Sequence, residues 1–200
     1  MKGLFKPIYY GFFRRLFKLK FRRIQAGLNP SVPVYIVDID NTLADTWPSL
    51  QELVHPNEQD RYRSLSVFLG MRKFILCKRK SAKVIFISAR SFLSYQSTQE
   101  WLRSCGLDGC DLILVARAAD KMYFIKTLIS SGLKVVCVDD LSYNHEHGEM
   151  KLYHELIQEL NELPLIYLGI KEIELINSYY GTNHPNTQTT CENLSDYCQH

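Results

Sequence analysis

The chain has 200 residues, of which 46% are hydrophobic and 22% charged, and a net charge of +3. That length suits one domain with a sizeable core and is short for two, and the composition excludes the disordered and fibrous classes. The small net charge hides a division: residues 1–37 carry eight basic side chains and no acidic one, which leaves 16 basic against 21 acidic residues, about −5, over residues 38–200.

The first element is the arm 1–30, with its basic and aromatic run YYGFFRRLFKLKFRRIQAGL. Wound as a helix, it puts Phe13, Leu16, Phe17, Phe21 and Ile24 on one stripe and Arg14, Arg15, Lys18, Arg22 and Arg23 on the other side, with Leu19 and Lys20 breaking the pattern. Such a helix can pack on the protein's own sheet or on a second copy, lie on an anionic membrane surface through residues 1–28, or hold nucleic-acid phosphates. A targeting peptide is disfavoured because residues 1–30 contain no serine.

Asn29-Pro30 and Pro33 punctuate the chain before VYIVDI (34–39), an apolar run that reads as a buried strand. A helical segment over 59–80 leads to a second strand, KVIFIS (83–88), and one over 95–105 leads to a third, DLILVA (111–116). Helical spacing returns over 119–131, followed by LKVVCV (133–138), then over 149–161, followed by LPLIYLGI (163–170). Strands rich in Val, Ile and Leu that alternate with helices predict an α/β fold: a doubly wound, parallel, five-stranded sheet over 31–177. From 178 to 200 apolar periodicity gives way to Asn, Thr, Ser and Gln, which predicts a flexible polar tail.

Six cysteines, at 77, 105, 110, 137, 191 and 198, fit no zinc spacing, and no signal peptide is recognisable. Reduced thiols and a cytoplasmic location, with peripheral membrane contact through the arm, are the expectation. Cys191, Cys198 and His200 as a metal site are the weaker reading. No run reaches the roughly 18 apolar residues of a membrane span.

In a doubly wound sheet, ligands bind beyond the carboxyl ends of the strands. Asp38, Ser88 and the pair Asp139-Asp140 all fall there. Asp38 and Asp40, two apart, point to one side of an extended strand. With the second acidic pair, they make a self-repelling cluster that needs a hard divalent cation with oxygen ligands, Mg²⁺ foremost.

The ordered set DIDNT, FISAR, KMYFIKTL and VVCVDD resembles the four motifs of the haloacid dehalogenase superfamily of phosphotransferases, over about residues 34–145. Within it, the arginine two after the serine, the STQEWL helix and the lysine upstream of Asp-Asp are most similar to the phosphatase domain of polynucleotide kinase-phosphatases. The resemblance implies a Mg²⁺-dependent phosphomonoester hydrolase with Asp38 as nucleophile, through an aspartyl-phosphate, and Asp40 as proton donor and acceptor. Asp40 is then expected to keep a proton near neutral pH. Asp38, Asp40 through its backbone carbonyl, Asp139 and Asp140 are the implied metal set. Thr42, Ser88, Arg90 and Lys121 are the implied phosphate-binding set, Thr42 by supporting the nucleophile loop.

Rival readings attach to several of these residues. The D-x-D pattern also serves as a strand-end turn or the metal-binding motif of nucleotide-sugar glycosyltransferases. Lys126 competes with Lys121, and His145 and His147 read as solvated loop residues outside the catalytic set. Only about 40 residues separate Leu43 from the second strand, so no large cap is expected over the site. An open site suits the end of an extended substrate, a polynucleotide 3′-phosphate first and a sugar phosphate or lipid-linked glycan second. A binding protein that keeps the fold without catalysis is the rival from another class.

Overall fold

The computed structural model describes residues 5–51 and 57–181. Helix α1 (Phe5–Ala26) leads to strand β1 (Val34–Val37), whose four residues are all buried. The two-residue strands β2 (Ala44–Asp45) and β3 (Ser66–Val67) form an antiparallel ribbon that brackets helices α2 (Trp47–Gln51) and α3 (Glu58–Ser64). Then come α4 (Leu69–Lys78), β4 (Lys83–Ser88), α5 (Tyr95–Ser104), β5 (Asp111–Leu114), α6 (Lys121–Ser130) and β6 (Val135–Val138). A second ribbon, β7 (Ser142–Tyr143) with β8 (Lys151–Leu152), precedes α7 (His154–Asn161), β9 (Ile166–Leu168) and α8 (Ile170–Gly181).

The sheet is five-stranded and wholly parallel, in the order β5-β4-β1-β6-β9, as a doubly wound α/β fold requires. Unbroken apolar strands form because helices cover both faces, so alternation with polar residues would bury polar groups without partners. The register aligns Val37 of β1 with Phe86 of β4 and Val138 of β6. Asp38, Ser88 and Asp139 therefore emerge together at the carboxyl edge. β1 continues to β4 on one side and has β6 on the other, so the edge beside it is the point where the strand order reverses.

Several elements depart from the sequence expectations. The helix expected over 59–80 is broken at Leu65–Phe68: Ser66 and Val67 pair with Asp45 and Ala44, Phe68 N–H donates to the Leu43 carbonyl (2.8 Å), and Trp101 Nε1 donates to the Leu65 carbonyl (2.8 Å). The helix expected over 149–161 begins only at His154, because residues 151–152 join the second ribbon. Residues 178–181, expected to open the polar tail, are the last turn of α8, with Tyr180 buried; residues 182–200 lie outside those described.

The arm packs on its own domain. Phe17 and Phe21 are buried, Phe13 stacks on Phe92 (5.5 Å between ring centres) and Phe21 meets Phe124 edge-on at 4.8 Å. Leu16, expected on the buried stripe, is exposed, because the face that seats on the domain is centred on Phe17 and Phe21. Cys105, Cys110 and Cys137 are free thiols, whereas Cys77, half-buried on α4, is disulfide-bonded, against the expectation of reduced cysteines. No described helix is long and apolar enough to cross a membrane.

Candidate active site

The loop after β1 turns tightly on itself. The Ile39 carbonyl accepts from Leu43 N–H (2.9 Å) and Ala44 N–H (2.8 Å), and Asn41 adopts φ 54°, a left-handed conformation that asparagine tolerates better than most residues. This turn aims Asp38 and Asp40 into a cleft of about 240 Å³, with Ser88, Lys121, Asp139 and Asp140 among its other walls.

Asp38, Asp139 and Asp140 are all buried, and each offers an oxygen within 4.8 Å of the others'. Lys121 Nζ bridges two of them, 2.9 Å from Asp38 Oδ1 and 2.6 Å from Asp139 Oδ2. Lys126 instead pairs with Glu159 on the surface, so of the two candidate lysines it is Lys121 that faces the cleft. Three carboxylates against one ammonium leave a formal −2. A hard divalent cation would cancel that charge, and the all-oxygen donors suit one. Asp38 Oδ1 is buried against Lys121 Nζ at 2.9 Å, and its remaining lone pair is open to such an ion.

The electrostatics follow from this crowding. Burial raises the Asp38 carboxyl more than Lys121 lowers it, and Asp139, Asp40 and Asp140 add to the rise. Burial and then Asp139 push Asp140 up to about 7, against the pull of Ser142, Lys121 and Thr42. Burial would strip the proton from Lys121, but the charges of Asp139 and Asp38 and their hydrogen bonds outweigh it and hold the ammonium charged.

Asp40 stands apart from the three-carboxylate cluster. Arg90 grips both of its oxygens, Nε on Oδ2 and Nη2 on Oδ1, each at 2.8 Å, while Thr46 donates at 3.0 Å and Ser88 at 3.3 Å. Burial would raise Asp40, but Arg90, by charge and by hydrogen bond, with Thr46 and Arg61, holds it below the usual carboxylate range. The expectation of a protonated Asp40 is therefore not met here, because it took account of the acidic neighbours but not of the arginine. Arg90 is itself 2% exposed, lies 4.2 Å from the centre of the Tyr62 ring and donates to Thr98 Oγ1 (3.3 Å). It is turned onto Asp40 and is not among the residues that line the cleft.

Thr42 is fully buried and ties two loops together, donating to Asp140 Oδ1 (3.1 Å) and accepting from Asp140 N–H (3.0 Å). It supports the loop and does not line the cleft. Leu141, at φ 45°, donates its N–H to Asp139 Oδ1 (3.0 Å), so the acidic pair sits on a strained turn.

Residues passed over in the sequence complete the walls. His145, expected in solvent with His147, is buried, with Nε2 2.7 Å from Ser142 Oγ and its ring edge-on to Trp47; Ser142 in turn donates to Asp140. His147 is exposed. Thr46, Arg61 and Tyr62 come from the ribbon and helices between β1 and α4, a small cover where a large cap was not expected. The one available signal was position: Thr46 closes the DIDNTLADT segment, and His145 follows the acidic pair closely.

No protein-family model matches the chain, and no curated protein does. A chain in the solved structure of the Pnkp1/Rnl/Hen1 complex is similar at 17% identity and a TM-score of 0.43, over 70% of this chain and 48% of that one. The present chain thus spans about half the length of that neighbour.

Proposed function

We propose that the chain is a metal-dependent phosphomonoester hydrolase in which Asp38 is the nucleophile. The observation that carries this is the buried trio Asp38, Asp139 and Asp140, bridged by Lys121 beside an Asp40 that Arg90 holds in place. A structural cluster would gain nothing from three mutually repelling carboxylates at a sheet edge.

Asp38, Asp139 and Asp140 would hold a Mg²⁺ ion, which supplies charge neutralisation for the phosphoryl oxygens. Lys121 and Ser88 face the same cleft and orient those oxygens. In the first half-reaction, an Asp38 oxygen attacks phosphorus, the bond to the ester oxygen breaks, and that oxygen takes a proton from Asp40. In the second half-reaction, water gives a proton to Asp40 and attacks phosphorus, the bond between the Asp38 oxygen and phosphorus breaks, and inorganic phosphate leaves with the Asp38 carboxylate restored. Arg90 holds Asp40 ionised in the free protein, the form the second half-reaction needs; the first half-reaction needs the protonated form, which the negative charge of an incoming phosphate favours.

The substrate reading rests on the groove around the cleft. Ala89, Ala118 and Tyr153 are shared between the cleft and a neighbouring groove of about 700 Å³, where Tyr143 and Tyr153 lie 4.5 Å apart between ring centres; Arg117 joins that groove to Arg14 and Lys18. Aromatic faces interleaved with cations suit a single polynucleotide strand, so a 3′-phosphorylated end is the first substrate. A phosphorylated glycan on a lipid carrier is the second, favoured by the apolar residues that α1 exposes.

Asp38→Asn should lower phosphate release from an aryl phosphate ester roughly a thousand-fold or more, and wild-type release should require Mg²⁺. Unchanged turnover in the variant, or indifference to metal, overturns the mechanism and favours a non-catalytic binding protein. A screen of 3′-phosphorylated oligonucleotides against sugar phosphates decides the substrate.

A further inference from the structure

We infer that α1 docks the protein on an anionic lipid bilayer through the face it turns away from the domain. Phe17 and Phe21 fix which side of α1 is buried. On the other side, Phe12, Leu16 and Leu19, spaced by four and three residues, form a single stripe and are 62%, 47% and 54% exposed. Arg15, Arg22 and Arg23 are exposed around this stripe, and among the described residues none of them has an ion pair or hydrogen bond. Among the other cations of the helix whose side chains are described, Arg14 is 3.7 Å from Asp120, Lys18 lies over Tyr123, and Lys20 donates to Tyr95.

The chemistry of this face selects its partner. Three large apolar side chains at the centre of a basic face would stay wet against a phosphate backbone, whereas they enter the acyl boundary of a bilayer while the arginines remain at headgroup level. A second copy is disfavoured by charge, because mating two such faces brings Arg15, Arg22 and Arg23 against their counterparts with no acidic residue in α1 to pair with them. The stripe is about two turns long, roughly 10 Å, which is small for a stable protein interface and sufficient for shallow insertion. The amino-terminal half of α1 packs on Phe92, just past the carboxyl end of β4, through Tyr9, Tyr10 and Phe13, so docking brings the open edge of the sheet near the lipid surface. This inference is independent of the reaction proposed above.

The test is sedimentation of the full chain with phosphatidylcholine–phosphatidylglycerol vesicles and with phosphatidylcholine vesicles alone. Binding is expected to the mixed vesicles only. It should fall roughly ten-fold or more in the triple variant Phe12→Ser, Leu16→Ser, Leu19→Ser, and likewise in Arg15→Gln, Arg22→Gln, Arg23→Gln. Both variants change exposed side chains and should keep the wild-type melting temperature, so loss of binding is not loss of folding. Absence of wild-type sedimentation, or equal sedimentation by the serine variant, overturns the inference. So does retention by single-stranded DNA that the serine changes leave intact and the glutamine changes abolish, which would assign the face to nucleic acid. Lipid-free dimerisation lost in the serine variant would assign it to a second copy and overturn it as well.

Discussion

Arg90 closes one edge of its guanidinium, Nε and Nη2, on both oxygens of Asp40, while Nη1 donates to Thr98 and Tyr62 covers its face. The spacing of FISAR places an arginine near the site but cannot say which acid it meets. That depends on Tyr62 and Thr46, which come from the cover between β1 and α4. Asp38, Asp139, Ser88 and Lys121 were legible because each ends a strand, follows one by a single step or starts a helix, where the fold itself aims it. Thr46 and His145 were not, since their placement depends on loop packing with no periodicity to read, and Arg61 was not, since the seat of α3 over the cleft is set by tertiary packing. A consequence of Asp140 lies at this scale too. Its carboxyl titrates near 7 when folded and near 3.8 when unfolded, so between these values the folded state binds more protons and its stability falls as pH rises. A cation competes with that proton. The rise in melting temperature on adding Mg²⁺ should therefore be larger at about pH 8 than at about pH 6, as thermal melts with and without metal would read; a rise that shrinks with pH contradicts the assignment.

Among the elements, the five strands were read correctly and the helices less so. Apolar runs of four to six residues have few alternatives in an α/β chain. The break at Leu65–Phe68 is set by tertiary pairing with residues 43–45, which overrides the helical spacing around it. Helix α8 was missed because its apolar positions follow directly on a strand and merge with it. Its seat on α4 is tight: a Cβ on Gly70 would lie 2.4 Å from Asn177 Cα, and the Asn177 side chain accepts from Met71 N–H (2.9 Å) at the start of α4. Gly70→Ala should therefore cost about 1–3 kcal/mol in a denaturant titration, despite alanine's better helix propensity. A neutral or stabilising result would mean that the two helices separate freely.

At the scale of the whole molecule, the order β5-β4-β1-β6-β9 makes β1 the hub, and the site lies beside it because its two neighbours are reached by opposite crossovers. That much follows from alternating strands and helices, and the resemblance of motifs added the ordering of the acids. If Mg²⁺ binds only the assembled trio, single-turnover unfolding in denaturant should slow in its presence while refolding is little changed; an equal acceleration of refolding would mean that the trio forms before the barrier.

The pairing of β1 with β6 has a bearing on synthesis. Thr42 waits 98 residues for Asp140, and β1 waits as long for β6. At ribosomal speeds that is roughly 5–20 s, during which an apolar strand has one edge without its partner. The nascent chain is therefore most in need of a chaperone between the emergence of β1 and that of β6, before the carboxylates at positions 139 and 140 exist to receive an ion.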